Sequence, residues 1–402
     1  MFQRVVHRIF RARHYWRTIS FDELAELYVS RLLTVFAINI VNLFAAVYLL
    51  QLGYSLGFIA LFYAAIYAIK IPASFLFARI AAYFGPKHGI FFANLLRIPS
   101  LIAFAFAPQF GLPAVIIFGI LQQLASGLYD LCYMVDFSKI KSINHAGKEI
   151  GTMQVLEKVA RITSPLIGGA VASIYGAQAT IITASVVFAI AALPLFKTIE
   201  PTTTRAKLRF RGFPWAVARS SIVSESVVGF DFVASGMVWT LFVTLAVFAG
   251  TGQALYAVLG GLASFGVFVS MIAAWTFGKL VDRHQGGILL SAGTIANVII
   301  HLFRPFVSTP AGVVGANMAN ETATSAYALP FTRVLFDVAD SSGFRISYLM
   351  VIEMAVSLGC VLGCLLFAGM VSLFGAVGGM QAVFVVAAGY ELLLLGSSRR
   401  AR

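Results

Sequence analysis

Apolar segments long enough to cross a lipid bilayer recur along the whole chain, separated by short turns rich in glycine, proline or polar residues. The segments lie at about 27–50, 55–79, 88–107, 113–137, 151–175, 178–197, 226–249, 254–278, 287–306, 311–335, 345–372 and 377–396. A helix needs about 20 apolar residues to span the hydrocarbon region, and every segment reaches that length. The pattern therefore predicts an all-α polytopic membrane protein with twelve transmembrane helices.

Composition agrees with this prediction. Of the 402 residues, 60% are hydrophobic and only 11% are charged, whereas soluble domains carry about 25% charged residues. The net charge of +13 would suit a nucleic-acid-binding protein. The basic residues, however, lie in short strips between apolar segments, as expected for the loops of a membrane protein. We therefore expect a lipid bilayer, and no nucleic acid, as partner.

The basic residues also predict the orientation. The turns after segments 1, 3, 5, 7, 9 and 11 contain no Lys or Arg, while the turns on the other side and both tails are basic. Positive loops mark the cytoplasmic side, so both termini are predicted to be cytoplasmic, in a bacterial inner membrane. Residues 1–26 form a basic amphipathic segment that suits a membrane surface. A mitochondrial targeting segment is the alternative for this stretch.

A long polar loop divides the chain into two halves. The prediction is a cytoplasmic N-terminal segment at 1–26, a six-helix bundle at 27–197, a linker at 198–225, a second bundle at 226–396 and a tail at 397–402. Val155-Leu-Glu157 in segment 5 parallels Val351-Ile-Glu353 in segment 11, an equivalent position in the other half. This similarity indicates an internal repeat of the kind found in transporters.

One loop resembles a family signature. Gly278-Lys-Leu-Val-Asp282-Arg283, between segments 8 and 9, is similar to the loop motif of the major facilitator superfamily. The resemblance implies two six-helix pseudo-repeats, with charge contacts of this loop bracing the cytoplasmic gate. An ordinary basic turn is the alternative. The corresponding loop after segment 2 has Ala82 where the family carries Asp, which indicates a divergent member.

Segment 5 has a second resemblance. Ala160, Ser164, Pro165, Gly168 and Gly169 are similar in spacing to a small-residue and proline motif of the family's exporters. Small residues at such spacing also occur in any close helix interface. The segment favours export and predicts close packing between the two halves.

Ionisable residues deep in apolar segments are costly and usually functional. By depth they are Lys70, Arg97, Asp130, Glu157, Arg161, His301, Glu321 and Glu353. Asp231 and Glu391 are predicted nearer the cytoplasmic ends, where hydration lowers the cost. Glu157 and Arg161 are one turn apart and can pair, while His301 and Arg304 are predicted to be structural.

The resemblance implies that segments 1, 4, 7 and 10 line a central cavity. That places Asn39, Asn42, Gln122, Gln123, Asp130, Asn317, Asn320 and Glu321 near the substrate path. Glu321, near the middle of segment 10, is the preferred residue for proton coupling, and Asp130 is the next candidate. Both are carboxyl groups that can take up and release a proton.

The predicted function is secondary active transport of a small solute by alternating access, as proton-coupled export by a monomer without a cofactor. A proton-coupled uptake symporter, or a non-transporting sensor or assembly factor with a transporter-like fold, is the alternative. The sequence contains no Walker-type phosphate loop, no His-Glu-x-x-His and no Gly-x-Ser-x-Gly, so an enzyme is not expected. The three cysteines, Cys132, Cys360 and Cys364, complete no metal set.

Overall fold

The computed structural model describes residues 21–140, 146–196, 205, 208–252, 254–282 and 286–400. Within these ranges the chain is helical and contains no strand. The helices of the first half are α1 (Phe21–Gln51), α2 (Leu56–Tyr83), α3 (Pro86–Ala105), α4 (Leu112–Ile140), α5 (Ala146–Tyr175) and α6 (Ala177–Ala192). Those of the second half are α7 (Trp215–Val247), α8 (Ala254–Asp282), α9 (Gly286–Phe303), α10 (Pro310–Ser341), α11 (345–374) and α12 (376–391).

Each predicted apolar segment overlaps one of these helices. Helices α11 and α12 form a continuous run that is broken at Gly375, whose φ of 75° is in the left-handed region that favours glycine. By length and composition, eight helical runs of the described chain are apolar enough to cross a membrane, with this last run counted once. The prediction of an all-α polytopic membrane fold is confirmed.

Three boundaries differ from the prediction. Helix α1 begins at Phe21, inside the predicted N-terminal segment, and α7 begins at Trp215, so the linker is shorter than 198–225. Beyond α12, a 3-10 helix at Leu392–Arg400 continues the helical run into the predicted tail. The helices continue past their apolar segments into polar residues. An apolar pattern locates the membrane-embedded part of a helix better than it locates the helix ends. Residues 1–20 lie outside the described part.

The helices pack as two bundles. In the first half α3 contacts α4 and α6, α1 contacts α5 and α6, and α2 contacts α4; in the second half α10 contacts α8 and α9, and α7 contacts α11. Two extensive contacts join the halves, α2 with α11 and α5 with α8. Helix α8 corresponds to α2 in the other half, and α5 corresponds to α11, so the two contacts are equivalent. This is the relation expected of two parallel repeats related by an axis along the membrane normal.

Helix α7 is irregular. Its α-helical part ends at Asp231, and π-helical turns follow at Phe232–Val238 and Val243–Val247, with one α-helical turn between them. Single π-turns inside α-helices are found mostly at functional positions. The first π-turn lies beside the buried polar cluster described below.

Candidate functional site

A lysine lies at the contact between the two bundles. Lys70 of α2 is 6% exposed and forms an ion pair with Glu353 of α11, in the opposite bundle. Its Nζ is also 3.9 Å from Oδ2 of Asp130 in α4, in its own bundle. One cation is thus shared by two carboxylates from different halves. Glu225 of α7 is buried and interacts electrostatically with Glu353.

A second lysine also crosses the interface. Lys158 of α5 donates hydrogen bonds to Ser270 Oγ of α8 at 2.8 Å and to Ser325 Oγ of α10 at 2.9 Å. Glu321, one turn before Ser325, interacts electrostatically with Lys158 and with Arg304. The residue predicted for coupling therefore lies in the same region as an interfacial cation.

Glu157 holds α5 against α1. Its Oε1 is 2.7 Å from Arg31 Nε, whereas Arg161 approaches its other oxygen only to 3.9 Å and is half exposed. Arg31 also stacks over Tyr133, with 4.0 Å between the guanidinium carbon and the ring centroid. The expected pairing of Glu157 with Arg161 is the weaker of the two contacts.

The second bundle encloses a polar cluster built around Asp231. His301 Nε2 lies 2.9 Å from Asp231 Oδ1, and Ser235 Oγ donates to the same oxygen at 2.6 Å. Arg304 Nη1 donates to Ser235 Oγ at 2.7 Å and to His301 Nδ1 at 3.3 Å. His301 and Arg304 are buried, as is Glu391, which reaches the cluster from α12.

These positions correct the expectation that Asp231 and Glu391 lie in hydrated ends. They are 7% and 1% exposed. Because α7 starts at Trp215, Asp231 falls in the middle of its helix, and the 3-10 helix after Glu391 likewise removes that residue from the end of its run.

The same cluster has the residue types of a metal site, since ligand atoms of Asp231, His301 and Glu391 lie within 4.8 Å of one another. The hydrogen bonds oppose that use. Arginine only donates, so a hydrogen bond from Arg304 requires His301 Nδ1 to accept. Assigned in this way, Nε2 carries the hydrogen, and His301 has no free lone pair for a cation.

The amides predicted along the substrate path are spread over both bundles. Asn317 Oδ1 accepts from Trp239 Nε1 at 2.7 Å, and Asn320 Oδ1 lies 3.5 Å from Ser235 Oγ. Asn39 Nδ2 donates to the Val35 carbonyl of its own helix at 2.7 Å. The other three amides are Asn42, which is exposed, and Gln122 and Gln123, which are buried.

Small residues bring α5 close to neighbouring helices. A Cβ on Gly169 would meet the backbone of Tyr256 and Ala257 in α8, and one on Gly260 of α8 would collide with the carbonyl of Pro165. A Cβ on Gly168 would lie 3.3 Å from Ile40 of α1. The small-residue positions of segment 5 thus lie at contacts with both bundles.

This contact yields a matched pair of variants. Gly260→Ala should force α5 and α8 apart and lower stability by about 1–3 kcal/mol, because its Cβ meets backbone that cannot move alone. A Cβ on Gly261 has no atom within 4 Å, so Gly261→Ala should be neutral or slightly stabilising. Thermal unfolding in detergent, with spin-label distances between α5 and α8, checks this; equal behaviour of both variants would contradict the close contact.

The predicted gate loop is only partly within the described chain. Gly278 and Asp282 belong to the last turns of α8, and Arg283 lies outside the described residues. The charge contacts implied for this loop stay a prediction.

Comparison with known proteins decides the family. Residues 27–350 match the model of the Major Facilitator Superfamily. The chain belongs to the major facilitator superfamily. No curated protein sequence matches it.

Solved transporters share the fold. They include the nucleoside transporter NupG (14% identity, TM-score 0.64, covering 94% of this chain and 98% of that one). The transporter FucP, solved in the outward conformation, has 14% identity and a TM-score of 0.67, with coverage of 94% and 98%. A POT family transporter in complex with 5-aminolevulinic acid has 13% identity and a TM-score of 0.69, with coverage of 94% and 96%. Membership of this family supports a secondary transporter embedded in a membrane, and members of the family are generally not enzymes.

Sequence reasoning missed Lys158, Arg31 and Glu225 in this superfamily member. Lys158 directly follows Glu157, which drew attention to the Glu157–Arg161 pair instead. Arg31 stands near the start of a segment and resembles an interfacial anchor, and Glu225 was assigned to the linker. The available signal for Lys158 was its spacing from Arg161. Charges three residues apart share a helix face, so the same face of segment 5 carries both cations.

Proposed function

We propose that this protein exports a small polar solute in exchange for protons, with the shared lysine Lys70 at the centre of coupling. The observation that carries the proposal is the ion pair between Lys70 and Glu353, which joins the two bundles, together with Asp130 at 3.9 Å from the same Nζ. In alternating access the two halves move against each other around such a contact.

Separation of the halves exposes a physical problem. Removing one partner of a buried ion pair leaves an uncompensated charge, at a cost of about 3–5 kcal/mol. Protonation of Glu353 would neutralise the carboxylate, while Asp130 keeps Lys70 compensated. Opening of the interface and proton uptake would therefore be coupled, and a solute carrying charge could compete for the same groups.

The residue types favour a polar solute. Two lysines and several carboxylates lie at the interface: Lys70 pairs with Glu353 where α2 meets α11, and Lys158 interacts with Glu321 where α5 meets α8 and α10. Two of the solved structures that share the fold are a nucleoside transporter and a fucose:proton symporter. Their low identity transfers no substrate to this chain.

The remaining parts of the proposal concern placement in the cell. We propose a monomer in a bacterial inner membrane. Its termini would both be cytoplasmic, because basic residues gather in alternate loops. The close α5–α8 contact at Gly169 and Gly260 supports the exporter-like reading of segment 5.

Uptake by proton symport is the second candidate. It uses the same Lys70–Glu353 contact, and the E. coli fucose:proton symporter shares the fold at 12% identity with a TM-score of 0.64. A non-transporting sensor would keep the fold without needing a proton exchanged at this contact.

Reconstitution into liposomes containing a pH-sensitive dye tests the proposal. With a solute gradient applied from a panel of nucleosides, sugars, amino acids and cationic drugs, an exported solute should move protons in the opposite direction. Protons moving with the solute would indicate symport. No proton movement and no flux of any radiolabelled panel member, from a folded sample, would favour the sensor.

A further inference from the structure

The buried cluster of the second bundle carries unequal charge. A guanidinium only donates, so a hydrogen bond from Arg304 Nη1 to His301 Nδ1, at 3.3 Å, requires that nitrogen to accept. We therefore assign the imidazole hydrogen to Nε2, facing Asp231. His301 is then neutral. One guanidinium remains against two carboxyl groups, those of Asp231 and Glu391.

An unbalanced charge costs free energy in a buried cluster. Asp231, His301, Arg304 and Glu391 are 7%, 0%, 1% and 1% exposed. A buried charge without a partner costs several kcal/mol. One further positive charge, or one proton, is needed to make the cluster neutral.

The two carboxyl groups differ in their hydrogen bonds. Asp231 accepts from His301 Nε2, from Ser235 Oγ at 2.6 Å and from Tyr327 OH at 3.3 Å, as an ionised carboxylate would. Glu391 accepts one short bond, from Asn297 Nδ2 to Oε1 at 2.5 Å. Its Oε2 is buried and has no hydrogen-bond partner among the described residues.

Asn297 presents the complementary atom. It is fully buried, and its Oδ1 also has no hydrogen-bond partner in the described chain. A protonated carboxyl facing a carboxamide can form two hydrogen bonds, one from the amide N–H and one from the acid O–H. A proton on Glu391 would supply the donor that is missing between these two acceptor atoms, and would leave Asp231 and Arg304 as a balanced pair.

We propose that Glu391 and Asn297 form a proton-binding site inside the second bundle, separate from the Lys70 cluster. The groups that face it are His301 and Arg304 from the α9 end, Asp231 from α7 and Tyr327 from α10. Ser235 lies in the first π-turn of α7 and bonds both Asp231 and Arg304, so the site is tied to the irregular part of that helix. The inference does not depend on the direction or coupling of transport.

Glutamine at position 391 imitates the protonated acid, since it presents a donor nitrogen beside an acceptor oxygen without a charge. We expect Glu391→Gln to fold with a Tm within about 2 °C of the wild type at neutral pH, a shift that corresponds to a small change in stability. Asp231→Asn, which removes an ionised partner of Arg304, should lower the Tm by more than about 4 °C.

The pH dependence gives a second readout. An unfolded Glu releases its proton above about pH 4.3, whereas the folded site holds it, so this site's contribution to stability falls as pH rises. As the pH rises from about 5 to about 8, the wild type should therefore lose more stability than Glu391→Gln. Infrared difference spectra between the wild type and Glu391→Gln should show a protonated carboxyl band that the variant lacks.

The opposite results overturn the inference. Failure of Glu391→Gln to fold, or a Tm loss equal to that of Asp231→Asn, would mean that Glu391 is ionised. An unchanged carboxylic acid band would mean the same. Stabilisation of the wild type, but not of Glu391→Gln, by Zn²⁺ or Mn²⁺ alone would show a divalent metal site instead.

Discussion

Replacing Glu353 with glutamine should abolish pH-driven solute flux, because the amide can neither balance Lys70 nor take up a proton. Lys70 would keep only Asp130, at 3.9 Å. Removing one partner of a buried pair costs about 3–5 kcal/mol, and a change of that size shifts a two-state equilibrium by more than about 100-fold. Flux driven by an applied pH gradient in proteoliposomes, with thermal unfolding of the same sample, measures both effects.

A double variant separates stability from coupling. Lys70→Met with Glu353→Gln leaves neither charge unpaired at this contact, so we expect it to recover much of the stability lost in the single variant. It should still fail to couple flux to the pH gradient. Asp340→Asn is the matched control, because its pair with Arg345 at 2.9 Å is about 30% exposed on both sides and contributes little. Normal pH-driven flux in Glu353→Gln would remove this residue from the coupling step.

The fold was predictable because each helix must satisfy its own backbone in lipid and must be long and apolar. Because of that constraint, all twelve predicted segments can be recognised in the sequence as hydrophobic runs. It does not determine where a helix ends in water, which explains the misplaced starts of α1 and α7. The error had a consequence for the site, since it moved Glu225 into a loop and Asp231 to a helix end.

The candidate site was only partly predictable. Lys70, Asp130 and Glu353 stood out as charges deep in apolar segments, yet nothing in the sequence says that α2 packs against α11 and brings them together. Pairing partners are set by tertiary contacts hundreds of residues apart. The pair Glu157–Arg161 could be predicted because its members are one helical turn apart in the sequence. In the structure, however, Arg31 from another helix lies nearer to Glu157 than Arg161 does.

The buried polar cluster of the second bundle was also only partly predictable from the sequence. His301 and Arg304 were predicted to be structural, and their bonds to Asp231 and Ser235 agree with a role in holding α7 and α9 together. The unpartnered oxygens of Glu391 and Asn297 add a feature that only coordinates reveal. Hydrogen-bond satisfaction is a property of neighbours, and a sequence pattern carries no such information.

The second large effect that we expect is the loss of pH-driven accumulation in Glu321→Gln. Its interpretation depends on whether Glu321 carries the proton or only balances the charge of Lys158. If Glu321 exchanges the transported proton, Glu321→Gln should lose pH-driven accumulation by about tenfold or more while solute exchange between equal pH values persists. If it only balances the charge of Lys158, both activities should fall together. Lys158 would then keep its hydrogen bonds to Ser270 and Ser325 and a smaller electrostatic interaction with Glu157. The measurement is counterflow and pH-driven uptake of the same labelled solute.

The double variant Lys158→Gln with Glu321→Gln resolves the two roles. Removing both charges should restore transport if the role is electrostatic balance, since residues in one network couple strongly. It cannot restore accumulation if the carboxyl carries the proton, because no titratable group replaces it. Thr322→Ala, next to Glu321 but bonded through its hydroxyl to the Met318 carbonyl of its own helix at 2.7 Å, is the neighbouring control that should leave both activities near wild type. Full pH-driven accumulation in Glu321→Gln would exclude this residue from coupling and leave the Lys70 contact as the place where the proton acts.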